Sequence, residues 1–107
     1  MIKFTADGQP VKGVVLIDLA SPVNISGTIT TGGTAQTLSA VKTTPRRFAI
    51  QNLSAGDLWI NTKATAVAGS PSLRISSGAY YESPYATTNA ISIIGATGGQ
   101  AFTAEEW

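Results

Sequence analysis

The chain contains neither cysteine nor histidine. Lacking cysteine, it has no disulfide, no thiolate nucleophile and no thiolate ligand for a metal. Lacking histidine, it has no side chain that titrates near neutral pH unperturbed, and none of the commonest transition-metal ligand. Ser-His and Cys-His nucleophile pairs are therefore impossible within the chain. Charge is scarce too. Asp, Glu, Lys and Arg make up 12% of the 107 residues, with a net charge of +1, against roughly 25% charged residues in an average soluble domain. Such a chain has no electrostatic footprint for nucleic acid. The acids are Asp7, Asp18, Asp57, Glu82, Glu105 and Glu106. They are scattered except for the last two, and adjacent residues on a strand point to opposite faces. The inventory therefore predicts no enzyme, no cofactor and no metal.

Long apolar segments are also missing. The run from Gly13 to Leu19 is far short of the roughly 20 residues that cross a bilayer. The start, Met1 to Gly8, lacks the apolar stretch of a signal peptide. No membrane partner is expected.

What the chain does have is hydroxyls and turns. Ser and Thr supply about a fifth of it, and such a surface is cheap to desolvate against a neighbour. Turn signals recur at Asp7-Gly8, Ser21-Pro22, Gly32-Gly33, Ser54 to Asp57, Gly69 to Pro71, Ser77-Gly78, Ser83-Pro84 and Gly98-Gly99. Between them lie short segments that alternate with period two. Val23, Ile25 and Ile29 are expected inward, as are Phe48 with Ile50, Leu58 with Ile60, Leu73 with Ile75, Ile91 with Ile93, and Phe102. Ala64 to Ala68 is the nearest approach to a helix, and Gly69 and Pro71 cut it short. Short strands at this spacing predict an all-β fold, an antiparallel β-sandwich. The segments 48–52 and 58–61, joined by five residues with a glycine, read as a hairpin.

A seam falls near residue 34. Residues 1–34 read as a leader, either an extended arm or a strand pair of the sandwich, and residues 35–107 as the sandwich domain. Gly13 to Leu19 is apolar on both faces, so either the domain or a partner must cover it. Among the aromatics, Trp59 is expected to face away from Leu58 and Ile60. One of Tyr80 and Tyr81 should point outward. Arg46 and Arg47, a basic pair at a strand start, are expected to be solvated, or to meet an acidic partner.

Three stretches resemble small virion proteins of tailed bacteriophages and prophages. They are Gly33 to Ala40; Arg46-Arg47-Phe48-Ala49-Ile50-Gln51-Asn52 with Gly56-Asp57-Leu58-Trp59-Ile60-Asn61; and Ala90 to Trp107. The resemblance covers residues 33–107. It implies a jelly-roll-like sandwich acting as a capsid decoration, or cement, protein on the virion surface, made in the host cytoplasm. The implied partners are the major capsid protein, further copies of the chain, or both, with the chain a homo-oligomer on the particle. The candidate contact residues are Phe4, Val14, Leu16, Leu19, Arg46, Arg47, Trp59, Tyr81, Tyr85 and Trp107. The rival readings are a tail, collar or neck component of the virion, and a carbohydrate-binding module using Trp59 with Tyr81 or Tyr85.

Overall fold

The computed structural model describes residues 21–107. Among them there are nine strands and no helix: β1 (Val23–Asn24), β2 (Gly27–Thr28), β3 (Gln36–Ser39), β4 (Phe48–Asn52), β5 (Leu58–Asn61), β6 (Leu73–Ile75), β7 (Tyr80–Glu82), β8 (Ile91–Gly95) and β9 (Ala101–Glu106). The first sheet runs β1–β9–β4–β7, with β2 also paired to β9, and the second runs β3–β8–β5–β6. Every strand pair is antiparallel.

The alternation seen in the sequence builds the core between the sheets. Phe48 and Ile50 from β4, and Phe102 and Ala104 from β9, meet Leu58, Ile60, Ile75, Ile91 and Ile93 from the second sheet. Phe48, Leu58, Ile60, Ile91 and Ile93 are fully shielded from solvent. Truncating one such large side chain to alanine would cost about 2–5 kcal/mol, because both the transfer energy and the filled volume are lost.

The glycine pairs make the turns expected of them. Gly33 and Gly99 adopt left-handed φ of 79° and 89°, a conformation without penalty only for glycine. Each sits in a tight turn closed by a backbone hydrogen bond, Thr34 N–H to Thr31 O and Gln100 N–H to Thr97 O.

The expected hairpin does not form. β4 pairs with β7 and β9 in the first sheet, whereas β5 pairs with β6 and β8 in the second. Residues 53–57 are therefore an arch between sheets. Asn52, completely buried, holds it. Its Nδ2 donates to Gly56 O at 2.7 Å and, across the core, to Ile75 O at 2.8 Å. Its Oδ1 accepts from the Ser54 N–H and hydroxyl. Gln100 adds bonds from Nε2 to Ser54 Oγ and Asp57 O. A turn signature marks a reversal of the chain but does not decide whether the flanking strands share a sheet.

Two inward expectations also fail. Val23 is 54% exposed and Leu73 48% exposed. Both lie at strand ends on outer strands, where the facing sheet no longer covers them. Ile25 is half-buried, and Ile29 is buried as expected. Within the segment assigned to the leader, residues 23–28 pair with β9 at the edge of the first sheet.

Candidate partner-binding surface

Phe4, Val14, Leu16 and Leu19 lie outside the described residues. The other candidates separate into distinct environments.

Arg46 is not solvated. It is 6% exposed, and each of its five N–H donors is taken up within the protein. Nε donates to Glu106 Oε1 at 3.1 Å. Nη1 donates to Thr87 O at 2.7 Å and Asn89 O at 2.8 Å. Nη2 donates to Ser39 Oγ and Ala40 O, both at 2.9 Å. The reason lies in β9. Alternation that sends Phe102 and Ala104 inward sends Glu106 inward as well, leaving Glu105 exposed. A buried carboxylate at the end of the core requires a buried cation. Ser39 also donates to Glu106 at 2.6 Å, and the Lys42 ammonium stands 3.4 Å from its other oxygen. Burial alone would push the Glu106 pKa up. The hydrogen bonds from Ser39, Arg46 and Lys42 outweigh it and hold the carboxyl below the ordinary value of 4.5. The group is a structural staple that joins β3, β4, β9 and the 87–89 segment.

Arg47 is exposed. Its backbone pairs with Trp107, N–H to O at 2.8 Å and O to N–H at 3.0 Å, which extends the β4–β9 ladder to the last residue. Trp59 is half-buried on the outer face of the second sheet, in register with Arg74 and Ile94. Tyr81 turns toward the core, its ring 5.8 Å from that of Phe48, and burial raises its pKa. Tyr81 is therefore not free to share a flat platform with Trp59. Tyr80 is the outward member of the pair at 61% exposure, and its hydroxyl donates to Glu82 at 3.1 Å. Tyr85, 46% exposed, lies over a small hollow with Pro71 and Leu73, and its hydroxyl is 3.2 Å from Thr62 Oγ1.

One concave surface collects several candidates. A cleft of about 420 Å³ at the end of the first sheet is lined by Val23, Lys42, Pro45, Arg46, Glu106 and Trp107, with Ser21 and Thr43-Thr44 at its rim. Val23, Pro45 and half-buried Trp107 give it apolar walls. Sequence reasoning named Arg46 and Trp107 but missed Val23 and Lys42. A lone valine next to a proline carries no signal of exposure. Among the described residues, no three acidic side chains gather as a metal site would need, and no helix is long and apolar enough to cross a membrane. Comparisons with protein-family models, with curated proteins and with solved structures find no match to this chain.

Proposed function

We propose that this chain is a structural virion protein, a capsid decoration protein that clamps neighbouring major capsid protein subunits. The observation that carries the reading is the apolar cleft at Val23, Pro45 and Trp107, lying where residues 1–20 join the β-sheet body. A rigid body with an adhesive end and an attached apolar segment suits a clamp. Many copies acting together need only modest contacts each.

The strand order supports a jelly-roll reading of the fold. Every connection from β2 to β9 crosses from one sheet to the other, except β5 to β6. Two four-stranded orders, β1/β2–β9–β4–β7 facing β3–β8–β5–β6, are what a doubled Greek key produces, an architecture common in viral capsid domains. The resemblance of residues 33–107 to small tailed-phage virion proteins points the same way. So does the spread of exposed apolar side chains (Val23, Val41, Leu53, Val67, Leu73, Tyr80 and Tyr85) over a weakly charged surface.

The test compares particles assembled with and without the chain. Those lacking it should release their DNA at lower temperature and lower pressure. Equal resistance would refute the reading.

A further inference from the structure

We propose that the cleft between Val23, Pro45 and Trp107 is a socket for the apolar segment Val14 to Leu19 of a neighbouring copy. The inference rests on reading residues 1–20 as a contact arm and adds where that arm docks.

Four observations lead there. The cleft walls are apolar and uncovered by any described residue, with Val23 54% exposed. The segment is apolar at every position but one, and that one is Asp18. The cleft wall supplies the matching charge in Lys42, whose side chain is 41% exposed. An ammonium has three donors, so Lys42 can meet Asp18 while keeping Glu106. β1 is also an outer strand, with β9 on one side and no strand on the other among the described residues. An added strand can pair along such an edge while its side chains fill a pocket.

The chain's own geometry selects a neighbour over itself. Val23 is in register with Glu106, so the chain running back through Pro22 passes the end of β9 at Trp107. Proline fixes its own φ and drives the preceding Ser21 toward extended backbone. Only Ala20 separates the segment from Ser21, which itself lines the cleft, so filling its own cleft would demand a chain reversal within one residue.

The absence of cysteine makes the test clean. Full-length chains carrying Leu16→Cys are mixed with chains carrying Thr44→Cys at the rim and mildly oxidised. A covalent heterodimer is expected. Substituting Val67→Cys, exposed on the loop between β5 and β6, for Thr44→Cys should abolish it. No heterodimer beyond that control overturns the proposal. So does a double variant, Leu16→Cys with Thr44→Cys, that closes within single chains at high dilution. A second measurement uses Val23→Ser, which removes apolar surface from the socket at an exposed position and adds no charge opposite Glu106. Self-association measured by sedimentation should weaken about tenfold, the equivalent of 1.4 kcal/mol, and unchanged association counts against the socket. All of these use purified chain without particles, so they fail or succeed independently of the particle test above.

Discussion

Arg46 Nε lies 3.1 Å from Glu106 Oε1, and this contact ties together the ends of two neighbouring strands of the first sheet, β4 and β9. The guanidinium also bonds to Ser39 and Ala40, at the end of the second sheet's outer strand, and to Thr87 and Asn89. Replacing one member of a buried pair leaves the other charge stranded. Glu106→Gln should therefore cost about 3 kcal/mol, and Arg46→Met at least as much, because it also removes donors from three carbonyls. Urea denaturation followed by tryptophan fluorescence measures both. A loss below about 1 kcal/mol for either, the value of an exposed pair, would contradict the staple.

The same carboxyl sets an acid response. Its folded pKa lies below the ordinary 4.5, so the unfolded chain binds this proton more readily than the folded one. The stabilisation is then complete above about pH 4.5 and is lost as pH falls through the folded value. Thermal melts should drop in that acid range for the wild type. In Glu106→Gln the drop should be smaller, starting from a lower plateau. A variant with an unchanged acid slope would show that other groups control it.

Asn52 should be as intolerant as a core residue. Asn52→Leu keeps the volume but leaves the Gly56 and Ile75 carbonyls and the Ser54 N–H without their partner. We expect a loss on the order of 3 kcal/mol, since each buried unsatisfied group costs about 1–3 kcal/mol. Chemical denaturation checks it, and a near-neutral result would mean that the arch is held by Gln100 alone.

These two residues mark what the sequence could and could not reveal. Period-two alternation identified the inward positions of β4, β5, β8 and β9, because those strands are central or long and both sheets cover them. It also separated Glu105 from Glu106. It misjudged Val23 and Leu73 because alternation specifies a face and does not say how far the facing sheet extends. It missed the sheet change after Asn52 because the local turn chemistry of Ser54 to Asp57 serves an arch as well as a hairpin. Arg46 read as solvated because its acid lies sixty residues away, beyond any local pattern. The cleft was illegible for the same reason: Val23, Pro45 and Trp107 meet only through the β1–β9–β4 ladder.

Tyr80 and Tyr81 offer a spectroscopic check of the surface. Both phenols are held above the ordinary 10.0, Tyr80 first through its hydrogen bond to Glu82 and Tyr81 first through burial. Glu82→Gln should bring the Tyr80 titration down toward the ordinary value and leave Tyr81 where it is. Alkaline titration followed by ring NMR signals resolves the two. A shift at Tyr81 instead of Tyr80 would reverse the assignment of inward and outward rings.

The most direct test of the proposed role is an electron cryo-microscopy map of intact particles. Density for this two-sheet body is expected on the outer capsid surface, where major capsid protein subunits meet, with its Val23–Trp107 end against a neighbour. Density confined to the tail or neck, or particles without the chain, would contradict it.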